Sequence, residues 1–341
     1  MAETNLVRVV GADSDLLGCG AGVVGGGDQS GSGLAALTVG LLRAEDDREL
    51  GGGSLIPVAE ISTQVVRAED GVTAEVRIYR RVADPSAPVL VCMPAMGTRG
   101  AVYVPFAEAL SRAGFQVVLG ELRGQGTSSV RLRRGTRYGY HEIVTRDYPA
   151  LFQAVEANFP SAPRYLFGHS LGGQLGALYL GQQPAMAAGA ILVGAPSCHY
   201  RSWSFPRNFG ILGGAHLALG IGRLVGYFPG RRIGVLGDDS TQLMRDFATQ
   251  VRTGSYRVPS SALDFESGLA EVRMPVLAVA IEGDGMATAR GVETLGGKLA
   301  NASVTHWNLL LDSTNRNPHY DWIRDNAALV ERIQAFIDTN P

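Results

Sequence analysis

The sequence has 341 residues, 45% of them hydrophobic, and a formal net charge of -2 at pH 7. A chain of this length can bury a sizeable core, either as one large α/β domain with an insertion or as two small domains. The near-neutral charge gives no electrostatic reason to expect nucleic acid or an acidic membrane surface as a partner. No apolar run reaches about 18 residues, so a membrane span is not expected.

Residues 1–56 form a glycine-rich amino-terminal segment, which we expect to be flexible. Two motifs in it are discounted. The stretch Leu16-Leu17-Gly18-Cys19 resembles a lipoprotein cleavage site, but Asp13 and Asp15 interrupt the apolar segment that such a site needs. The stretch Gly20-Ala21-Gly22-Val23-Val24-Gly25 matches a dinucleotide-binding pattern without the required strand before it or helix after it. Since no signal peptide is recognised, we expect the protein in the cytoplasm.

The three cysteines, Cys19, Cys92 and Cys198, lie far apart in unlike surroundings. The sequence has no Cys-X-X-Cys pair and no cysteine–histidine cluster, so neither a disulfide framework nor a metal site is expected. Cys92 lies in an apolar strand pattern and is interpreted as a small core residue.

From residue 60 onward, apolar patterns predict alternating strands and helices. Residues 61–66 and 72–79 alternate in the manner of strands on either side of the turn Glu69-Asp70-Gly71, which predicts a hairpin. The continuous apolar run 88–93 is typical of a strand buried on both faces of a parallel sheet. Further strands are predicted at residues 115–122, 164–167, 189–194, 275–281 and 303–311, and helices at residues 103–112, 140–159, 171–180, 288–299 and 320–337.

This alternation predicts an α/β fold in which helices cover both faces of a mostly parallel central sheet. The expected core comprises residues 57–196 and 264–341. Residues 197–263 break the alternation and are predicted to form an inserted, largely helical cap over the sheet, although extra core with ordinary loops is the alternative. Its aromatic residues Trp203, Phe205 and Phe228 are candidates for lining a substrate pocket.

The stretch Gly168-His169-Ser170-Leu171-Gly172 lies between a predicted strand and a predicted helix. A serine at such a tight turn is forced into a strained backbone geometry that exposes its hydroxyl, and the flanking glycines avoid collisions with the strand and helix. Ser170 is therefore predicted to be a nucleophile.

A serine hydroxyl needs a base to remove its proton, and we identify that base as His319. His319 lies in a loop after the last predicted strand, from which it can reach across the carboxyl ends of the parallel strands. The other histidines adjoin the serine or lie in the insertion, at a helix start or within a strand.

The base is usually held by a carboxylate, for which the turn after the strand 275–281 offers two candidates. Asp284 is preferred, with Glu282 as the alternative and Asp312 as a third choice.

The oxyanion that develops during attack needs two backbone N–H donors. One is predicted at Leu171, directly after the nucleophile. The second should come from the loop after the strand 88–93, where Pro94 has no N–H. Met96 is the first choice and Ala95 the second.

These residues resemble the α/β-hydrolase superfamily, through Gly168-His169-Ser170-Leu171-Gly172, the stretch Leu122-Arg123-Gly124-Gln125-Gly126-Thr127-Ser128, and the chain order Ser, Asp, His. The resemblance covers residues 61–337. The loop Met93-Pro94-Ala95-Met96-Gly97 departs from the usual His-Gly of that superfamily. It is similar to a subgroup of uncharacterised bacterial predicted hydrolases, which also carry a segment like Tyr227-Phe228-Pro229-Gly230-Arg231-Arg232-Ile233-Gly234. The resemblance implies fold and catalytic plan, and leaves the substrate open.

The expected reaction is acyl transfer, in which a serine hydrolase cleaves a small or medium, partly hydrophobic carboxylic ester through an acyl-enzyme, without metal or organic cofactor. The same residues can also serve an amidase, a lactonase, a C–C hydrolase or an acyltransferase. A non-catalytic ligand-binding protein of the same fold is the alternative from another class. The sequence does not give the oligomeric state.

Overall fold

The computed structural model describes residues 40–41, 59–235, 237–312 and 317–340. Of residues 1–56, the structure describes only a two-residue strand, β1 (Gly40–Leu41). The prediction that this segment is flexible therefore falls outside the described residues, as does Cys19.

Within the described residues, the main sheet has nine strands, six of which run parallel to one another. Its strands are β1, β2 (Ala59–Arg67), β3 (Thr73–Arg81), β4 (Val89–Met93), β5 (Gln116–Leu119), β6 (Arg164–His169), β7 (Gly189–Val193), β10 (Val276–Ile281) and β11 (Val304–Leu309). They lie in the order β1-β2-β3-β5-β4-β6-β7-β10-β11. The strands from β5 to β11 in that order are parallel, and β1, β2 and β3 add an antiparallel end. A separate antiparallel pair is formed by β8 (Phe228–Pro229) and β9 (Asp238–Asp239).

The central strands confirm the prediction that the short apolar runs are buried on both faces. All five residues of β4 are buried. Val89, Val91 and Met93 belong to one hydrophobic cluster, while Leu90 and Cys92 belong to another. This alternation places a core on each face of the sheet, because successive side chains of a strand point to opposite faces. The mostly parallel sheet covered on both faces is thus present as predicted.

Helices connect the strands and cover the two faces. They are α1 (Val104–Arg112), α2 (Tyr140–Glu142), a π-helical turn (Ile143–Asp147), α3 (Tyr148–Asn158), α4 (Leu171–Gln182), α5 (Arg207–Val225), α6 (Thr241–Thr253), α7 (Phe265–Gly268), α8 (Ala289–Lys298), α9 (Pro318–Asp321) and α10 (Ala327–Thr339). Short 3-10 turns lie at Gly100–Tyr103, Pro184–Met186, Tyr200–Ser202 and Leu269–Glu271.

The single helix predicted over residues 320–337 is wrong, because the structure has the two helices α9 and α10 there. The interruption brings Trp322 into the core, where it is fully buried and its Nε1 donates to the carbonyl of His319 at 2.9 Å. Regular helical bonding would place that carbonyl opposite a backbone amide four residues later. The break therefore fixes the backbone of the predicted base.

Residues 197–263, which we call the cap segment, add no strand to the main sheet within the described residues. They contain α5 and α6, which pack on each other, and the pair β8–β9. The division of the chain into core and cap stays a prediction. Helix α5 is long and apolar enough to cross a membrane by length and composition, with 17% of its most apolar window buried. Core helices and signal sequences meet the same two criteria, so these alone do not assign α5 to a membrane.

Candidate active site

Ser170 lies at the turn between β6 and α4 and has a strained backbone. Its φ is 51° and its ψ is -119°, and it is the one non-glycine residue with positive φ in the part of the chain that the structure describes. Such strain costs about 1–3 kcal/mol and persists only where the surroundings enforce it. The Ser170 side chain does not cap α4. Its hydroxyl is therefore not committed to the amides of that helix.

Close backbone approach explains the glycines around Ser170. A Cβ at Gly168 would lie 2.5 Å from the amide nitrogen of Gly173, and one at Gly172 would lie 2.5 Å from the carbonyl oxygen of Pro94. Both contacts are too short for real Cβ atoms, so a side chain at either position would push the strand, the helix or the loop after β4 apart. The glycines thus hold Ser170 against the loop that was predicted to supply an oxyanion donor.

His319 and Asp284 form a buried pair. The Nδ1 atom of His319 lies 2.6 Å from Oδ2 of Asp284. The other carboxylate oxygen, Oδ1, accepts hydrogen bonds from the amides of Met286 at 2.7 Å and Ala287 at 2.9 Å. Because its two oxygens are both engaged, the carboxylate is fixed in orientation and orients the imidazole through Nδ1, which leaves Nε2 as the ring nitrogen that it does not contact.

The other acids considered in the sequence are placed differently. Glu282 directly follows β10 and is exposed, and Asp312 is exposed after β11. Neither carboxylate lies within hydrogen-bond distance of His319 among the described residues. The geometry favours Asp284 as the partner of His319.

Strand order brings Ser170, Asp284 and His319 to one edge of the sheet. Ser170 follows β6, and Asp284 follows β10, two places along the sheet. The intervening strand β7 is followed by Gly194, where an added Cβ would lie 3.5 Å from Oδ2 of Asp284 and 3.5 Å from Nε2 of His169. The ring of His319 lies 4.5 Å, between centroids, from the ring of His169, which precedes Ser170.

Of the two candidate oxyanion donors in the loop after β4, the structure leaves only one with a free amide. The amide of Ala95 donates to the hydroxyl of Tyr103 at 2.9 Å, so it is not free to bind an oxyanion. Ala95 is therefore withdrawn as a candidate donor, for the physical reason that its single N–H is already used. The Met96 amide has no acceptor among the described residues, and the Leu171 amide is at the start of α4. These two donors remain.

Tyr103 and His169 form a buried link that the sequence did not predict. The Tyr103 hydroxyl, which accepts from Ala95, lies 2.6 Å from Nδ1 of His169. Burial, and secondarily the nearby His319, lowers the pKa of His169 well below its usual value, so the imidazole is neutral and Nδ1 can accept the phenolic proton. The link connects the oxyanion loop to the residue beside Ser170. No local signal marks it, because the two residues are 66 positions apart.

The three predicted pocket residues have different surroundings. Trp203 is buried and its Nε1 donates to the carbonyl of Gly285 at 3.0 Å, so it braces the turn that carries Asp284. Phe228 is 1% exposed, whereas Phe205 is 78% exposed. The prediction that Phe205 lines a pocket is not supported by this placement, because its ring faces solvent beside Phe209.

Comparisons with known proteins agree with the fold. The family described as serine aminopeptidase, S33, matches residues 84–219, less than half of the chain. No curated protein matches the sequence significantly. Among solved structures, a thermostable carboxyl esterase from Bacillus coagulans has a TM-score of 0.58 at 16% identity, covering 82% of this chain and 98% of its own. An α/β hydrolase from a Penicillium species has a TM-score of 0.54 at 16% identity, covering 82% of this chain and 98% of its own.

A third similar structure is an esterase from a Rhodococcus species, with a TM-score of 0.50 at 17% identity, covering 82% of this chain and 99% of its own. At these identities the likeness concerns the fold alone. The chain has the α/β-hydrolase fold, with the predicted mostly parallel sheet and flanking helices.

Proposed function

We propose that this chain, with its α/β-hydrolase fold, is a serine hydrolase that cleaves a carboxylic ester through Ser170, His319 and Asp284. The observation that carries the proposal is the buried 2.6 Å contact between His319 and Asp284, at the same sheet edge as a strained, uncapped serine. A carboxylate that orients a histidine, at the same sheet edge as a half-buried serine, is the arrangement that acyl transfer requires. The esterases of similar fold from Bacillus coagulans and Rhodococcus support the choice of an ester.

The proposed reaction runs in two stages through a covalent intermediate. Ser170 Oγ attacks the ester carbonyl carbon while Nε2 of His319 takes the hydroxyl proton. The carbonyl electron pair moves to its oxygen, which the Leu171 and Met96 amides stabilise. Collapse expels the alcohol, which receives the proton from His319 and leaves the acyl group on Ser170. Water then attacks the acyl carbon with His319 again as base, which releases the carboxylic acid and restores Ser170.

Asp284 has a supporting role in both stages. Its carboxylate holds His319 in the tautomer that presents a bare Nε2 and stabilises the imidazolium that forms after proton transfer. The amides of Met286 and Ala287 keep the carboxylate from turning away. No step of this scheme requires a metal or organic cofactor.

A second candidate is cleavage of an amide at the amino end of a peptide. The matching family is described as a serine aminopeptidase, and the triad chemistry of esters and amides is the same. The resemblance to a subgroup of bacterial predicted hydrolases with a Pro-Ala-Met-Gly loop stays a prediction. Neither the ester hydrolase nor the aminopeptidase proposal depends on it.

The test is a panel of para-nitrophenyl esters from acetate to octanoate, with alanine para-nitroanilide as the amide arm, against the wild-type protein and Ser170→Ala. Ester hydrolysis that disappears in Ser170→Ala while circular dichroism shows an intact fold is the expected result. Faster turnover of the anilide than of the esters would favour the aminopeptidase. Absence of Ser170-dependent turnover of every substrate in folded protein would contradict the proposal in favour of a binding protein.

A further inference from the structure

Between the sheet edge and the cap segment lies a cleft of about 360 Å³ that we call the arginine cleft. Its walls are formed by Arg99 from the loop after β4, Arg131 from the loop after β5, and Tyr227, Arg231 and Asp238 from the cap segment. The three arginines are exposed, so the cleft is open to solvent. Nothing in the proposed triad chemistry uses these side chains.

The cleft carries an excess of positive charge. Asp238 is its one acidic lining residue, and that carboxylate is already engaged by Arg231, whose backbone amide donates to Oδ1 at 3.0 Å and whose Nε lies 3.8 Å from Oδ2. Arg131 donates from Nη1 to the carbonyls of Ser128 and Val130. A guanidinium has five N–H donors, so most of those of Arg131 remain available.

Arg99 is the least engaged of the three arginines. Within the described ranges its guanidinium has no hydrogen bond or ion pair. The carboxylate of Glu121 attracts Arg99 electrostatically, but it accepts its hydrogen bonds from the amides of Gly100 at 2.9 Å and Thr127 at 3.3 Å. An arginine whose guanidinium makes no hydrogen bond or ion pair within the described ranges can form a bidentate pair with an incoming carboxylate or phosphate.

The arginine cleft lies beside the proposed oxyanion loop. Arg99 follows Met96 by three residues, so their Cα atoms are separated by at most about 11 Å. From the other side, the cap segment packs directly on this loop, since a Cβ at Gly237 would lie 2.6 Å from the carbonyl oxygen of Gly97. Gly237 precedes Asp238 of the cleft wall. The separation between the oxyanion loop and the cleft is thus of the length that a chain of several carbons spans.

We infer that the arginine cleft binds an anionic group of the substrate, remote from the bond that is cleaved. The inference rests on the proposed function and narrows its substrate class to esters whose acyl chain ends in a carboxylate or phosphate. Val130, Leu132 and Tyr227 line the same cleft and provide apolar surface for the connecting chain. Exposed guanidinium groups bind such an anion in competition with salt, so the preference weakens as ionic strength rises.

The test compares para-nitrophenyl hexanoate with mono-para-nitrophenyl adipate, which have equally long acyl chains and differ in a terminal carboxylate. The wild type should show a higher kcat/KM for the adipate ester at low salt. Arg99→Gln and Arg231→Gln should each lower kcat/KM for the adipate ester roughly 10-fold, the scale of one charge-assisted pair, and leave the hexanoate ester unchanged. Arg232→Gln, an exposed cap arginine beside the cleft wall, is the matched control and should change neither.

The monoesters of suberate and sebacate then show which chain length spans the distance. Competition by free adipate and by inorganic phosphate distinguishes the two anionic chemistries. A wild type without preference for the anionic esters, or arginine variants that affect both esters equally, would overturn the inference while leaving the proposed function intact. If no ester is cleaved, the proposed function fails by itself. Calorimetric titration of Ser170→Ala with adipate then tests whether the arginine cleft binds anions. Binding that is lost in the additional Arg99→Gln variant supports the inference, and absence of binding overturns it.

Discussion

The carboxyl edge of the sheet and helix α5 of the cap segment use glycine in opposite ways. At the sheet edge, Gly168 and Gly172 touch backbone atoms, and a Cβ at either would collide with them. In α5, by contrast, a Cβ at any of several glycines would meet nothing within 4 Å; these are Gly210, Gly213, Gly214 and Gly220. At the edge, closely packed backbone therefore requires glycine, whereas these four glycines of α5 have no such packing role within the described chain.

The two regions also differ in the burial of their apolar side chains. Every residue of β4, β7 and β10 is buried, whereas Phe209, Leu217 and Leu224 of α5 are exposed, Leu224 by 79%. A helix with this exposure gains little from packing, and its sequence can change at low cost in stability. We propose that the sheet edge carries the chemistry and that the cap segment selects the substrate, and each prediction below tests one of these two roles.

The largest effect is expected at the acid of the proposed triad. Asp284→Asn keeps the shape but removes the charge that stabilises the His319 imidazolium, so kcat should fall about 1,000-fold or more. Glu282→Gln, in the same turn but exposed, should leave kcat near that of the wild type. Steady-state kinetics on a para-nitrophenyl ester measures both, and the reverse pattern would transfer the role to Glu282.

Alanine substitutions at a glycine of the sheet edge and at a glycine of α5 should change the free energy of unfolding in opposite directions. Gly172→Ala forces a Cβ against the carbonyls of Pro94 and Met93 and should lower the free energy of unfolding by about 1–3 kcal/mol. Gly213→Ala, with open space around its Cβ, should raise it by about 0.5–1 kcal/mol through the higher helix propensity of alanine. Urea denaturation provides both values. Equal destabilisation by the two substitutions would mean that α5 is packed as tightly as the edge.

Tyr103→Phe tests the buried link behind the oxyanion loop. Loss of the hydroxyl leaves the Ala95 amide without its acceptor and His169 Nδ1 without its donor, so the loop that carries Met96 is less firmly held. We expect kcat to fall roughly 10-fold with KM unchanged, because the loop acts mainly on the transition state. Tyr165→Phe is the matched control, since that hydroxyl donates to the carbonyl of Asn340 away from the site.

A change in KM rather than in kcat for Tyr103→Phe would indicate that the link shapes substrate binding instead. Equal kinetics for Tyr103→Phe and Tyr165→Phe would show that it has no positioning role.

The smallest effect is expected in the cap. Phe228→Leu reduces a buried ring and should shift the preferred acyl chain length by a few-fold in kcat/KM, without a change for para-nitrophenyl acetate. Phe205→Leu, whose ring faces solvent, should change neither substrate. Uniform loss across all chain lengths for Phe228→Leu would make that residue structural.

The parts of the fold that follow local patterns could be predicted from the sequence. The run Val89–Met93 is apolar at every position because the strand is buried on both faces, and the hairpin of β2 and β3 shows its alternation around Gly71. Ser170 was recognisable because its strained turn needs glycines at fixed offsets. The pairing of Asp284 with His319 was predictable from strand order, since parallel strands end at one edge.

The remaining features depend on contacts between distant residues. The helix break before α10 arises because Trp322 enters the core and bonds to the His319 carbonyl, which an amphipathic pattern does not record. Ala95 and Met96 differ as donors only because Tyr103 occupies the first. The arginine cleft combines Arg99, Arg131 and Arg231 from three separate loops, and their convergence requires the packing of Gly237 on Gly97.

Covalent labelling shows whether Ser170 is an activated nucleophile. The folded wild-type protein is incubated with a fluorophosphonate, which reacts with activated serine hydroxyls, and intact mass and peptide mapping locate the adduct. We expect a single adduct on Ser170 of the wild type, none on Ser170→Ala, and far slower labelling of His319→Ala. An unlabelled wild type, or Ser170→Ala labelled as fast as the wild type, would contradict it.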